Sequence, residues 1–248
     1  MTDQKPAVVL VHGAFAESAS WNGVIEQLHR NGVESIAVAN PLRSLAGDAA
    51  YLRDVIASVG RPVVLVGHSY GGLVISEASS GNDAVSALVY VNAFVPEHGQ
   101  TAFDLSTEFP GSTLGDALAP RELSDGTIEL VIKPELFRQQ FCADVSAETA
   151  GLMAATQRPV TQTALTEPLP TATPGWKNIP TWCVYSDQDL NIPVAEHRAG
   201  AERANARLSR EVPGGSHALS VSQPGAVAET ILAAVAAVAS VEAVGVEA

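Results

Sequence analysis

One stretch decides the fold: Val63-Val64-Leu65-Val66-Gly67-His68-Ser69-Tyr70-Gly71-Gly72. Its apolar start, rich in β-branched valine, predicts a buried strand. The apolar Leu73-Val74-Ile75 that follows predicts a helix, so the Gly-x-Ser-x-Gly pattern falls on the turn between the two. A serine on such a turn is held in a strained conformation with its hydroxyl exposed above the sheet. We therefore predict that Ser69 is a nucleophile, provided that a base and an acid follow later in the chain.

Strand and helix patterns alternate on both sides of this stretch. Further runs that predict strands, mostly apolar as in strands buried on both faces, lie at residues 7–11, 33–39, 85–91, 179–185 and 208–212. Patterns that predict helices lie at residues 48–59, with Tyr51, Leu52, Val55 and Ile56 on one face, and at 194–204 and 224–241. This alternation predicts an α/β fold with a mostly parallel sheet of about six strands and helices on both faces. Functional residues collect at the C-terminal strand ends of such sheets.

The alternation stops between residues 96 and 175. This insertion is rich in Pro, Thr and Gly, has helix-like pieces at 134–141 and 147–157, and contains Asp125-Gly126, which predicts a short hairpin. We expect a core of residues 1–95 and 176–248 and a helical lid of residues 96–175 over the strand ends. A surface excursion without function is the alternative. The apolar residues of the insertion either pack it on the core or line a pocket for a modest hydrophobic substrate; they are Phe103, Leu105, Phe109, Leu114, Leu118, Leu123, Phe137, Phe141, Leu152 and Met153.

The composition excludes several partners. The net charge of −13 and the lack of a Lys/Arg cluster argue against binding of nucleic acid.

The sequence also predicts where the protein resides. The first six residues lack the apolar stretch of a signal peptide, and the apolar run at 231–241 is too short to span a membrane. Cys142 and Cys183 lie far apart without a motif, so we expect free thiols in a cytoplasmic protein. The sequence shows no metal-ligand cluster and no dinucleotide fingerprint, so we expect no metal and no cofactor. The sequence leaves open whether the protein forms a homodimer.

A serine hydroxyl needs a base to take its proton, and the base needs an acid to fix its tautomer. We predict that His217 is the base, because it follows a strand and Gly214-Gly215 in a loop that can present it over the sheet end. The other histidines receive different roles: His29 and His197 are expected at the surface, His98 in the insertion, and His12 and His68 in packing or hydrogen bonding beside functional glycines.

The acid should follow a strand between Ser69 and His217, because a fold with its serine on a strand-to-helix turn uses the order Ser, acid, His. The loop after Tyr185 offers Asp187 and Asp189. We favour Asp189, which stands four residues before Pro193, a spacing shared by many such hydrolases, and expect Asp187 to order the loop. The end of the strand at 85–91 carries Asn92 instead of a carboxylate.

Acyl transfer also needs preorganised N–H donors for the oxyanion. The backbone N–H of Tyr70 is one candidate, because it follows the nucleophile at the start of a helix, where the dipole helps. The loop after the first strand supplies the second, with Ala14 as the expected donor and Phe15 as the alternative. The candidate substrate contacts around these loops are Phe15, His12, Leu190 and Ala218.

Taken together, these motifs resemble the α/β-hydrolase superfamily, and within it the small esterase branch that includes plant methylesterases and hydroxynitrile lyases. The matching stretches follow in order as Val11-His12-Gly13-Ala14, Gly67-His68-Ser69-Tyr70-Gly71-Gly72, Ser186-Asp187-Gln188-Asp189 and Gly214-Gly215-Ser216-His217, with Phe94-Val95-Pro96 and Arg158-Pro159 similar to the lid. The resemblance covers nearly the whole chain. It implies Ser69, Asp189 and His217 as a catalytic triad, with Ala14 and Tyr70 as backbone donors.

The departures from this branch favour one activity. Its hydroxynitrile lyases carry a lysine where this chain has Ala218, a threonine in place of Gly13 and a cysteine in place of Tyr70. Cyanide elimination needs a cation for the leaving anion, so the sequence favours a serine esterase that cleaves small, mainly hydrophobic esters or lactones through an acyl-enzyme. The alternatives are another reaction in the same pocket, lyase-like or perhydrolase, and a small-ligand binding protein that has kept the triad.

Overall fold

The computed structural model describes residues 5–245 of the chain, and the expectation about a signal peptide falls mainly on residues 1–4, outside that range. The strands of the described part are β1 (Ala7–Val11), β2 (Ser35–Val38), β3 (Val63–Ser69), β4 (Val85–Ala93), β5 (Leu118–Glu122), β6 (Ile128–Ile132), β7 (Val160–Thr161), β8 (Thr181–Ser186) and β9 (Leu208–Val212). The helices are α1 (Asn22–Arg30), α2 (Leu45–Val59), α3 (Gly71–Ala78), α4 (Ala102–Glu108), α5 (Leu114–Ala117), α6 (Pro134–Phe141), α7 (Ala147–Thr156), α8 (Gln162–Thr166), α9 (Val194–Arg203), α10 (Leu219–Ser222) and α11 (Pro224–Gly245).

Six strands form one sheet in the order β2-β1-β3-β4-β8-β9, and every neighbouring pair in it is parallel. Side chains alternate between its two faces, as the period of a strand requires. Val64 and Val66 pack with residues of α1 and α11, whereas Val63 and Leu65 pack with residues of α2 and α3. The prediction of a mostly parallel sheet with helices on both faces is confirmed.

The insertion holds a feature that the sequence did not predict. Besides α4 to α8 it contains a three-stranded antiparallel sheet in the order β5-β6-β7. Asp125-Gly126 forms the predicted hairpin turn between β5 and β6, and Gly126 takes a positive φ of 83°. The third strand, β7, has only 2 residues. The boundaries of the lid at residues 96 and 175 stay predictions.

Hydrogen bonds attach the insertion to the segment that leads into α2. Thr161 donates its backbone N–H to the Leu42 carbonyl oxygen at 3.1 Å and its hydroxyl to the Arg43 carbonyl oxygen at 2.6 Å. A carboxylate oxygen of Glu167 accepts the backbone N–H of Leu45 at 2.6 Å, which satisfies a free N–H at the start of the helix. Arg43 forms an ion pair with Glu129 of β6 at 2.5 Å. The insertion is therefore bonded to the core beside α2.

Two sequence predictions about side chains are wrong. Tyr51, expected on the apolar face of α2, is 41% exposed, because the buried face of that helix is formed by Leu45, Ala49, Leu52 and Ile56. His197, expected at the surface, is only 3% exposed. The predicted start of α2 at residue 48 is also late, because Ser44 caps the helix by accepting the N–H of Gly47. No helix between residues 5 and 245 is long and apolar enough to cross a membrane.

Glu196 in α9 gives the fold a predictable dependence on pH. Its carboxyl group is buried, accepts no hydrogen bond from any described residue, and lies 3.8 Å from the Arg203 guanidinium. Burial raises its pKa from 4.5 to about 7, and the opposing effect of Arg203 is smaller. A raised carboxyl pKa favours the folded state when the group is protonated, so this stability is present at pH 4 and is lost as the pH rises through about 7.

We expect Glu196→Gln to increase the free energy of unfolding at pH 8 by about 2 kcal/mol and to leave it nearly unchanged at pH 4. The amide keeps the size of the side chain and removes the buried charge. Urea unfolding at both pH values measures the difference. Glu202→Gln, on an exposed position of the same helix, serves as the control and should change little at either pH. Equal effects of Glu196→Gln at pH 4 and pH 8 would contradict the assignment.

Candidate active site

Ser69 ends β3 at the turn into α3. Its backbone has a φ of 56°, in the left-handed region that non-glycine residues rarely adopt. Such strain is retained where the surrounding structure holds it and a functional group must be aimed. Ser69 lines a cavity on this side of the sheet together with Ala14, Phe15 and Tyr70. The predicted nucleophile and both predicted oxyanion loops therefore border the same space.

His217 lies beside this turn, held by its own backbone. Its carbonyl oxygen accepts hydrogen bonds from His68 Nε2 at 2.9 Å and from Asn92 Nδ2 at 3.1 Å. The rings of His68 and His217 are 4.7 Å apart between centroids. Because His68 directly precedes Ser69, these contacts place the predicted base next to the predicted nucleophile. Burial lowers the pKa of His68 to about 3, so its imidazole is neutral and donates through Nε2.

Asp189 contacts the other side of His217. Its Oδ2 atom lies 2.7 Å from His217 Nδ1, and its Oδ1 atom accepts the backbone N–H groups of Asn191 and Ile192 at 2.8 and 2.9 Å. Burial alone would raise the pKa of this carboxyl group, but His217 and a hydrogen bond from His197 outweigh burial and hold the pKa well below its usual range. An ionised Asp189 fixes the proton on Nδ1 and leaves Nε2 of His217 as the basic atom.

Asp187, the other carboxylate of this loop, has a different environment. It accepts the backbone N–H of Gly214 at 2.6 Å, and Gly214 has a positive φ of 73°. Asp187 thus orders the loop that leads to His217, as the sequence predicts.

His197 is the part of the site that sequence reasoning missed. Its Nε2 atom lies 3.1 Å from Asp189 Oδ2, the oxygen that also bonds His217, and its ring stacks on Tyr185 at 5.5 Å. The buried face of α9 consists of Glu196, His197, Gly200 and Ala201. This face carries no large apolar residue, so hydrophobic periodicity could not reveal it. The small residues Gly200 and Ala201, one turn after His197, are the signal that could have done so.

Asn92 connects three loops at the end of β4. Its Nδ2 atom donates to Ser186 Oγ at 2.9 Å and to the Ser216 carbonyl oxygen at 2.8 Å, and its Oδ1 atom accepts the Ser186 backbone N–H at 2.8 Å. An amide can donate and accept at once, which a carboxylate cannot do. The side chain at this strand end therefore holds the loops of the acid and the base together.

The loop after β1 approaches Ser69 closely. A Cβ atom on Gly13 would lie 2.5 Å from Ser69 Cβ, so a larger residue fits here only if the turn moves. His12 donates from Nδ1 to the Gly13 carbonyl oxygen at 2.9 Å, and burial lowers its pKa to about 4, which keeps the ring neutral. Phe15 has a φ of 61°. The threonine of the lyases has no room at position 13 in this arrangement.

The side chain of Tyr70 is bonded to α2 and not to the catalytic groups. The hydroxyl donates to Asp48 Oδ2 at 2.9 Å, and Asp48 Oδ1 accepts the backbone N–H of Arg43 at 3.1 Å. Burial raises the pKa of the Asp48 carboxyl group, and these hydrogen bonds oppose the rise. Tyr70 therefore anchors its side chain on α2. The oxyanion role of its backbone N–H stays a prediction.

The cavity above Ser69 has a volume of about 400 Å³. Its walls come from the strand ends, from α4 and from residues 109–118, and its larger apolar lining residues are Phe15, Phe94, Phe103, Phe109, Leu114, Leu118, Leu165 and Ile192. Asp116 is the one charged residue among those that line it in the described part of the chain. Of the four candidate substrate contacts only Phe15 lines the cavity; His12, Leu190 and Ala218 lie outside its walls.

Comparisons with known proteins agree with this architecture. The chain is 29% identical over 250 aligned positions to the alpha/beta hydrolase nvfD of Aspergillus novofumigatus, which covers 92% of this chain and 95% of that protein. It is 25% identical over 243 positions to the alpha-hydroxynitrile lyase of Arabidopsis thaliana, covering 90% and 94% of the two chains. The crystal structure of polyneuridine aldehyde esterase superposes with a TM-score of 0.79 at 21% identity, over 93% of this chain and 99% of that one.

The lyase is one of the kinds of protein that the motifs resemble, and polyneuridine aldehyde esterase shares the fold. The family model described as the alpha/beta hydrolase family matches residues 8–230, which include all of β1 but its first residue, β2 to β9 and every predicted catalytic residue. The chain belongs to the alpha/beta hydrolase family.

Proposed function

We propose that this hydrolase is a serine esterase that cleaves carboxylic esters, lactones included, through an acyl-enzyme. The observation that carries the proposal is the pair Asp189–His217, bonded at 2.7 Å and held by backbone contacts beside the strained Ser69 at the wall of an apolar cavity. A carboxylate, an imidazole and a serine on an exposed turn are the set that activates a hydroxyl at neutral pH.

The proposed reaction uses each group at a stated atom. Ser69 Oγ attacks the ester carbonyl carbon while His217 Nε2 takes its proton, and Asp189 stabilises the imidazolium that forms. The backbone N–H groups of Ala14 and Tyr70 bind the oxyanion. His217 then returns the proton to the leaving alcohol, and water, activated by the same imidazole, releases the acid from Ser69.

The cavity sets the proposed substrate class. Its volume of about 400 Å³ and its apolar walls suit a small, hydrophobic ester. Asp116 as the charged lining residue disfavours substrates with a further carboxylate. One solved structure with this fold is named an esterase, which is in keeping with an ester substrate for the present chain.

A lyase reaction is the weaker alternative, although one relative is an alpha-hydroxynitrile lyase. Ala218, not a lysine, follows the base, and Ala218 is buried with its N–H bonded to the Phe141 carbonyl oxygen. Among the residues that line the cavity there is no cation to hold a cyanide leaving group. As part of the proposal we place the protein in the cytoplasm, because Cys142 and Cys183 are both free and buried, as is usual in a reducing compartment.

A panel of substrates tests the proposal. We expect p-nitrophenyl esters of short acyl chains to give a burst of p-nitrophenol equal to the enzyme concentration, followed by slower turnover. Methyl esters and lactones of graded size then define the acyl and alcohol limits, and mandelonitrile and a peracid assay test the lyase and perhydrolase alternatives. Tight binding of a ligand without turnover of any ester or lactone would favour a binding protein and overturn the proposal.

A further inference from the structure

Asp189 is shared between two imidazoles. Its Oδ2 atom lies 2.7 Å from His217 Nδ1 and 3.1 Å from His197 Nε2. All three side chains are buried. A catalytic acid needs only one such contact to orient its histidine, so the second imidazole calls for an explanation.

The hydrogen bonds of Asp189 determine which atoms of His197 carry protons. The two carboxylate oxygens face four N–H groups: those of Asn191 and Ile192 on Oδ1, and those of the two imidazoles on Oδ2. An ionised carboxylate only accepts hydrogen bonds, so His197 must carry a proton on Nε2 to make its contact. His197 therefore donates to the same oxygen that orients His217.

The position of His197 is fixed by its surroundings. Its ring stacks on Tyr185 at an interplanar angle of 19°, and the Tyr185 hydroxyl is itself 3.0 Å from Ser209 Oγ. The backbone N–H of His197 bonds to the Pro193 carbonyl oxygen in the first turn of α9. With ring and backbone both held, His197 presents Nε2 to Asp189 as a rigid donor.

We propose that His197 is a positioning residue for the base, which acts by holding Asp189 Oδ2 and drawing part of its negative charge away from His217. The inference rests on the proposed function, in which His217 must be unprotonated to accept the proton of Ser69. A second donor on the oxygen weakens its attraction for a protonated His217. His197 thus extends the active range of the enzyme toward lower pH.

The titratable groups around His217 decide whether this effect can be isolated. His68 of β3 and His12 of the loop after β1 are both kept neutral by burial, which lowers their pKa values to about 3 and about 4. Asp189 is the carboxylate in contact with the His217 ring. The ring of Phe141 also packs on His217, at 4.9 Å between centroids, and carries no charge. His197 is therefore the ionisable group whose removal changes the charge that Asp189 presents.

We expect His197→Leu to shift the acid limb of the kcat/KM profile upward by about 0.5 to 1 pH unit and to lower kcat/KM at pH 6 by about three- to tenfold, because His217 becomes protonated more readily. The acid limb should shift in the same direction whether His197 donates as a neutral or as a charged ring. His197→Gln places an amide N–H donor at a similar reach, so it should restore the wild-type profile. His98→Gln, at an exposed position, is the control for loss of a histidine elsewhere.

A second readout does not depend on turnover. In ¹⁵N-histidine NMR spectra, the midpoint of the His217 ring titration should move upward in His197→Leu and return in His197→Gln. An unchanged midpoint and an unchanged pH profile in a folded His197→Leu variant would overturn the role of His197 while leaving the esterase proposal intact. Wild-type protein without any ester hydrolysis would instead overturn the proposed function, and the NMR titration would still decide the inference.

Discussion

Ser69→Ala is expected to lower kcat/KM for p-nitrophenyl esters by about 10⁴- to 10⁶-fold, because the acyl-enzyme can no longer form. The protein should stay folded, since alanine removes one oxygen atom from a residue that lines the cavity. Steady-state kinetics measure the loss, and mass spectrometry after mixing with a slow ester should show the acyl adduct in wild type and not in the variant.

Ser106→Ala is the matched control for this experiment. Ser106 also lines the cavity, but its hydroxyl donates to the Phe103 carbonyl oxygen at 2.8 Å within its own helix. The kcat/KM of the Ser106→Ala variant should stay within about threefold of the wild-type value. The thiols offer no second nucleophile, because burial raises the pKa values of Cys142 and Cys183 to about 12. Undiminished turnover in Ser69→Ala would contradict the assigned nucleophile.

Gly72→Ala is expected to lower the free energy of unfolding by about 3 to 5 kcal/mol, one of the largest effects available from a single methyl group. A Cβ atom here would overlap the carbonyl oxygen of Phe94 and crowd Ala93 Cβ at 3.1 Å. These are atoms of the main chain and of a short side chain, so they cannot rotate away. The packing of α3 on the end of β4 would have to open.

Gly151→Ala provides the contrast. Gly151 lies inside α7, and no described atom comes within 4 Å of a Cβ built there. A Gly→Ala change at this position should therefore raise the free energy of unfolding by about 0.5 to 1 kcal/mol, because alanine has the higher helix propensity. Thermal and urea unfolding compare the two variants, and for a domain of this size Gly72→Ala should lower Tm by about 10 °C. Similar stabilities of the two variants would show that α3 is not packed as closely as described.

The sequence could predict the parts of the site that follow from local chain order. Ser69, Asp189 and His217 each come after a predicted strand, and parallel strands bring such residues to one edge of the sheet. The structure accordingly joins Asp189 to His217 and sets His217 beside the residue before Ser69. Their catalytic roles stay predictions for the kinetic experiments.

The contributions of Asn92 and His197 could not be predicted in this way. Asn92 bonds to backbone atoms of two loops that are more than 90 residues away in sequence. Every residue carries the same backbone groups, so the residue types of those loops do not indicate such a bond. His197 lies on a helix whose buried face is polar or small. The strand β7 has only 2 residues, which is too short to show a periodicity, so the sequence predicts the hairpin turn of the insertion but not its three-stranded sheet.

The hydrogen bonds between the insertion and the segment before α2 bear on how such enzymes can be re-engineered. Thr161 and Glu167 bond to Leu42, Arg43 and Leu45. The same segment continues to Asp48, which binds the Tyr70 hydroxyl beside the nucleophile. A graft of residues 96–175 from a relative would leave these donors and acceptors without their partners. The segment before α2 would then shift, and with it the hydrogen bond between Asp48 and Tyr70. A chimera that exchanges the insertion should therefore carry residues 41–48 of the same parent protein.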